Sequence, residues 1–240
     1  MSDEKILCAW DKYDDEDRKE VYALADRYKD FISRSKTERE CVKNFIEIAQ
    51  RYGYKDLADV LDKDESLKPG DKVYTDCYGK TLVMFNIGQH PFEEGLRILG
   101  AHIDSPRLDL KQNPVYEDTG FAMLKTHYYG GIKKYQWVTI PLAMHGVVVK
   151  KDGTAVEIKI REKEDEPVFG VSDLLIHLSK DQMTKTLKEA FTGEDLNISI
   201  GSIPVDDKEE KERIKTNILN ILFQRYKITE DDFVSAEIEV

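Results

Sequence analysis

The sequence predicts an α/β protein: an α/β layer that carries an inserted β-rich domain. Three observations predict it. Two stretches near the start repeat apolar residues at helical spacing. Two later stretches, "TLVMFNI" (81–87) and "RILGAHID" (97–104), are short and nearly continuous in apolar character, as strands covered on both faces are. From 107 to about 160 the chain becomes rich in Val, Ile, Tyr and Thr, broken by glycines, which is the texture of hairpins.

The elements follow in order. Residues 15–34 place Val21, Leu24, Ala25, Tyr28 and Ile32 near helical spacing. Thr37 and Glu40 fit a capping box, in which hydroxyl and carboxylate satisfy orphan N–H groups. Val42, Phe45, Ile46, Ala49 and Tyr52 then share one face, and Gly53 stands where a C-terminal glycine belongs, so 38–52 is a helix. Val73, Thr75 and Cys77 alternate, Tyr78-Gly79-Lys80 turns, and 81–87 returns as a strand. "HPFEEGL" is a loop, and 97–104 is a further strand. "KKDGT" (150–154) joins "MHGVVVK" to "AVEIKI" as a hairpin. "SDLLIHLSKDQ" is a short element that Ser172 or Asp173 can cap. Residues 207–228 form a helix with Ile214, Ile218, Ile221 and Leu222 on one face, and its acidic start suits the helix dipole. "DDFVSAEIEV" (231–240) alternates as a strand. These elements divide the chain into 1–107, the first part of the α/β layer; 108–228, the β-rich insertion; and 229–240, a strand returning to the layer.

Composition excludes several classes. Of 240 residues, 40% are hydrophobic and 35% charged, which makes a globular chain with enough length for a core. A formal net charge of -11 leaves no basic excess to displace counterions, so nucleic acid is not an expected partner. No apolar run approaches bilayer length, so no membrane is expected either. Cys8, Cys41 and Cys77 are few, scattered and odd in number, which argues against a disulfide scaffold. The opening "MSDEKILCAWDKYDDED" has no apolar core and is no signal peptide, so the expected location is cytoplasmic.

The stretch "LGAHIDSPRLDLK" (99–111) carries the sharpest chemical hint. In a strand, residues two apart point to one face, so His102 and Asp104 project together from a strand's carboxyl end, where open α/β sheets place ligands. A zinc-bound imidazole commonly gives its other N–H to a carboxylate, which fixes its tautomer. By spacing alone the pair reads rather as a core-edge histidine and a turn-starting aspartate. One histidine is not a zinc site, which needs three or four protein ligands. His177 lies among Leu174, Leu175, Ile176 and Leu178, where a lone histidine reads as a packed structural residue. His127 and His145 read as strand residues, and His90 as a loop residue. Gly130-Gly131 suits a tight turn or a close backbone approach.

"GAHIDSPRLDLK", then "THYYGGIKKYQW" with "IPLAMHGVVV", then "SDLLIHL", come in this order and at these separations. Together they resemble the aspartyl aminopeptidase / aminopeptidase I family of dinuclear zinc exopeptidases, in its bacterial branch, over essentially the whole chain. Many members carry a Trp-x-Asp-Arg element where this chain has Trp137-Val138-Thr139-Ile140. The resemblance implies an incomplete zinc-exopeptidase-like catalytic layer with an inserted β-rich dimerisation domain. It implies a metallo-aminopeptidase that removes N-terminal residues from peptides through a metal-activated water. The metal is zinc, two ions per site, with cobalt or manganese also suited to the ligand chemistry. It makes His102 the first zinc ligand and Asp104 the catalytic-site carboxylate that supports it. It makes His177 either a metal ligand or a substrate-binding residue reaching the neighbouring subunit's site. It implies a homo-oligomer, tetrahedral in the family. The bridging aspartate and general-base glutamate of such enzymes have no counterpart here, since Asp231, Asp232, Glu237 and Glu239 do not sit in the expected motif. The chain is therefore expected to be the first half of such an enzyme. The alternative is an inactive fragment that serves as an oligomerisation or interaction module; a third reading is an α/β domain that binds no metal.

Overall fold

The computed structural model describes residues 8–240. The first seven residues of the acid-rich opening stretch lie outside them. The chain divides into two compact units, one ending at Asp104 and one of Ser105–Val240. The sequence reading puts boundaries after 107 and after 228.

The first unit begins with α1 (Asp15–Arg34), at the bounds its periodicity predicts. Asp14 caps it, accepting from the N–H groups of Glu16 and Asp17 while the Asp17 carboxylate accepts from Asp14 N–H. In α2 (Glu38–Arg51), the Thr37 hydroxyl accepts from Glu40 N–H at 3.2 Å as expected. The Glu40 carboxylate, however, takes the N–H of Lys36 at 2.9 Å, one residue earlier than a capping box requires. The two helices meet through the Phe31 and Phe45 rings, 4.6 Å apart, and through Asn44, which donates to the Arg34 carbonyl. Leu24, Tyr28 and Ile32, the apolar stripe seen in the sequence, stay exposed.

Two short elements were invisible to periodicity: β1 (Lys55–Asp56) and α3 (Leu57–Asp62). Two and six residues are too few to show a repeat. Strands β2 (Lys72–Cys77) and β3 (Thr81–Asn86) form the predicted hairpin, with the Asp76 carboxylate accepting from Gly79 N–H in its turn. With β1 parallel to β2, they make a three-stranded sheet in the order β1-β2-β3. The strand expected over 97–104 does not form. Ile98 is 83% and Leu99 100% exposed, and no described residue supplies a ladder to the segment. Apolar character alone does not make a strand; its N–H and C=O groups need partners.

The second unit is built on a six-stranded antiparallel sheet. Its strands are β4 (Arg107–Asp118), β5 (Phe121–Tyr129), β6 (Met144–Val149), β7 (Ala155–Ile160), β8 (Ile198–Gly201) and β9 (Ala236–Glu239), in the order β7-β6-β9-β4-β5-β8. The predicted hairpin over 150–154 pairs Val149 with Ala155. Residues 231–235, read as strand, instead belong to a 3-10 turn (Glu230–Ser235) whose start Thr229 and Asp232 cap reciprocally. Residues 236–239 form the strand, inside this sheet between β4 and β6, and Val240 extends the pairing by exchanging two backbone hydrogen bonds with Leu108. The "SDLLIHLSKDQ" element is a run of turns rather than a helix.

Helix α4 (Arg213–Tyr226) starts six residues later than the sequence suggests. The acidic residues 207–212 lie before it. Its free N–H groups are met instead by a strand residue: one oxygen of Glu117, on β4, accepts from Ile214 N–H at 2.8 Å and Lys215 N–H at 3.1 Å. The carboxylate that complements the dipole thus comes from the sheet, not from the helix's own sequence.

The two faces of this sheet are chemically distinct. Leu108, Val148, Ile158 and Ile238 belong to a single buried cluster, against which Leu219 and Leu222 of α4 pack. Each fully buried Leu or Ile there contributes about 1.5–3 kcal/mol relative to exposure. Asp109, Glu239, His145 and Lys159 stand in one row across β4, β9, β6 and β7 on the other face. Arg107 pairs there with Asp109 at 2.7 Å and with Glu239 at 3.5 Å, and lies over the Tyr129 ring.

Gly146 is the position where β6 lets β9 approach. A Cβ on it would stand 2.1 Å from the Glu237 carbonyl oxygen and 2.7 Å from Ile238 Cα. Both are backbone atoms, so the strands themselves would have to part. Gly146→Ala is expected to cost roughly 3 kcal/mol in denaturant unfolding. Gly131→Ala, whose added carbon meets nothing within 4 Å, is expected to stay within about 0.5 kcal/mol. A second expectation concerns Glu166, which ties the segment after β7 to α4. Arg225 donates to it at 2.6 Å, and with the N–H groups of Glu162, Lys163 and Arg161 it holds the carboxyl down to about 2 from an ordinary 4.5. A lowered folded-state pKa contributes stability that is present above the unfolded value and lost as pH falls through the folded one. The stability difference between wild type and Glu166→Gln should therefore be full above pH 5 and vanish between about pH 4.5 and 2, read by urea midpoints across that range.

Candidate functional site

His102 and Asp104 come together as the spacing suggests, though without a strand to hold them. The His102 Nδ1 lies 2.9 Å from Asp104 Oδ1 and 3.2 Å from the Asp104 carbonyl oxygen. Two acceptors converge on one nitrogen, so Nδ1 carries the proton and donates. The lone pair then resides on Nε2, the nitrogen left for a ligand. The imidazole is 85% exposed and the Asp104 carboxylate about a third. The reading that spacing alone favours does not describe this: the histidine is not at a core edge, and the aspartate does more than start a turn.

The other histidines are placed as follows. His177 is exposed in the second unit, within the run of turns after Asp173, and its neighbours Leu174, Leu175, Ile176 and Leu178 are exposed with it. It is therefore not the packed structural residue that its apolar surroundings suggest. His127 lies on β5 with its ring stacked on Tyr128, and His90 pairs with Glu94 at 3.2 Å in a loop. His145 is buried on β6, with Nε2 2.8 Å from the Glu162 carboxylate. Sequence reading missed that last pair because its members are brought together only by the register of the β6–β7 hairpin. Gly130 has a positive φ of 76°, and a Cβ there would stand 3.6 Å from Pro106.

These side chains fit one corner of a zinc site and no more. An imidazole with its outer nitrogen free and its inner one bonded to a carboxylate is the arrangement that zinc-binding histidines use. A zinc ion needs about three or four protein ligands. Among the described residues, no group of three or more His, Cys, Asp or Glu side chains could hold a metal. The described residues thus supply an oriented donor, not a closed coordination shell.

The family described as aminopeptidase I zinc metalloprotease (M18) matches residues 31–240. A probable M18 family aminopeptidase 1 of Clostridium acetobutylicum is 62% identical over 232 residues, covering 97% of this chain and 50% of that protein. Its counterpart in Thermotoga maritima is 46% identical over 223 residues, covering 93% and 48%. The crystal structure of aminopeptidase I from Clostridium acetobutylicum superposes with a TM-score of 0.87 at 57% identity, covering 98% of this chain and 52% of that one. The chain therefore spans about half the length of the curated relatives it matches. The Saccharomyces cerevisiae mApe1 dodecamer, at 19% identity and a TM-score of 0.62, shares the fold.

The tautomer is directly testable. With Asp104 present, nitrogen-15 spectra of the neutral His102 ring should show the proton on Nδ1. Asp104→Ala should move it toward Nε2, with the rest of the spectrum unchanged. A ring that keeps the same tautomer in both proteins would mean that the carboxylate does not orient it.

Proposed function

The chain belongs to the aminopeptidase I zinc metalloprotease (M18) family, and from that membership we propose that it is part of a zinc aminopeptidase that removes residues from the N-termini of peptides. The observation that supports this most is the His102–Asp104 pair, an exposed imidazole whose carboxylate partner fixes the nitrogen it can offer. In this reading His102 is a metal ligand through Nε2, and Asp104 is the positioning carboxylate. His177, exposed on the second unit, serves the metal or the substrate, reaching the site of a neighbouring copy. Two zinc ions are held in the complete site, and cobalt or manganese suits the same donors. The bridging aspartate, the general-base glutamate and the remaining ligands are supplied from outside the residues described above.

The division into a catalytic layer, an inserted domain over 108–228 and a returning segment belongs to the same reading. So does self-association. Leu174, Leu175, Ile176 and Leu178 form a contiguous exposed apolar run around His177, which suits a contact between copies. We place the protein in the cytoplasm on its composition. No helix among the described residues is long and apolar enough to cross a membrane. A tetrahedral assembly is the expected form, and the mApe1 dodecamer is an assembly of a protein with this fold.

The second reading, an interaction module without catalysis, is favoured by the absence of a three-ligand cluster among the described residues. Metal analysis with a panel of aminoacyl chromogenic substrates separates the two. The enzyme reading expects zinc retained by the complete protein that this chain is part of, where the remaining ligands are present, and lost there in His102→Ala. That variant should unfold within about 0.5 kcal/mol of wild type, because the side chain is exposed. Asp104→Ala should weaken zinc binding by about 10–100-fold. Zinc held equally well by His102→Ala would remove His102 from the site. Absence of both zinc and turnover in the wild type would leave the interaction module.

A further inference from the structure

A pocket of about 130 Å³ lies between α4 and the sheet of the second unit. Its floor is Leu124, Met144, Ile158, Ile228, Phe233 and Ile238, all buried. Ile221 and Arg225 line it and are also exposed, so they mark its mouth. A cavity this large would hold several waters if it offered them partners, and each water needs two to four polar groups. The lining has polar side chains only at Arg225 and Tyr226. Both are engaged: Arg225 donates to Glu166 at 2.6 Å, and the Tyr226 hydroxyl donates to the Lys159 carbonyl at 3.4 Å.

We infer that this pocket is a binding site for a small, uncharged, apolar molecule of about the size of benzene or toluene. Three features select that class. The volume compares with that of engineered apolar cavities of about 150 Å³, which stay dry and take up benzene. The floor offers only dispersion contacts and transfer from water. The single cation at the mouth is neutralised by Glu166, so a ligand carboxylate would have to displace an existing ion pair. The occupant would be clamped between Leu222 of α4 and Ile158 and Ile238 of the sheet, and would stabilise the seating of that helix. Neither His102 nor His177 is among its lining residues, and the inference does not depend on the aminopeptidase reading.

The test is a titration of the 240-residue chain with toluene, read by carbon-13 methyl NMR of its isoleucines and by thermal unfolding. Saturable shifts confined to the isoleucines that line the pocket, Ile158, Ile160, Ile200, Ile218, Ile221, Ile228 and Ile238, with a rise in the unfolding midpoint, are expected. Benzoate at the same concentration should give neither. Leu222→Phe, which extends a ring into the space, and Ile221→Trp, which plugs the mouth, should each weaken toluene binding at least about tenfold; the second lies on the surface and does not threaten the core. The inference is overturned if toluene shifts none of these methyls, or if it shifts Ile176 in the exposed 174–178 run equally. It also falls if benzoate binds as well as toluene, or if both variants bind as wild type does.

Discussion

In the second unit everything converges on four residues. Strand β9 is hydrogen-bonded to β4 on one side and to β6 on the other, and in the strand order it alone joins β4-β5-β8 to β6-β7. Without it the sheet is two separate ribbons, each exposing an unpaired edge. With it, Ile238 completes the apolar face under α4, and Glu239 completes the polar row with Arg107, Asp109 and His145. The close approach demands a residue without a side chain opposite, and Gly146 fills that place. Helix α4 depends on the same sheet twice, for its apolar seat and for the Glu117 carboxylate at its N-terminus.

The candidate site shows a different economy. Asp104 needs no sheet to orient His102; two residues along a segment without regular secondary structure, its carboxylate reaches Nδ1. The arrangement settles which nitrogen faces outward before any ligand arrives, so a ligand that binds Nε2 does not have to reorganise the ring. The exposure of the imidazole also means that the contact between the two side chains contributes little to folding.

What was legible in the sequence divides along a physical line. Helices α1 and α2, the β2–β3 hairpin and the β6–β7 hairpin were legible because their determinants are local: caps, period and turn residues. The start of α4 was not, because Glu117, almost a hundred residues away, decides it. Residues 97–104 looked like a strand because a continuous apolar run reports the demand for burial, not the presence of neighbours. At the site, the His102–Asp104 contact was legible from a spacing of two, whereas the exposure of His177 contradicted the apolar residues that surround it. The His145–Glu162 contact required a strand register that no spacing reveals.

The central position of β9 has a kinetic side. Its partners on β4 and β6 lie far back along the chain, whereas β4–β5 and β6–β7 are pairings of near neighbours. Closing short hairpins is quick, and closing long loops is slow because their entropy is spent before any contact is gained. Sequence separation therefore favours closing the β4–β5 and β6–β7 hairpins before β9 joins them, and until it does each has an unpaired edge. During that interval the exposed edges of β4 and β6 are the places where two molecules can pair with each other instead, so crowding during synthesis bears on this protein through its slowest strand.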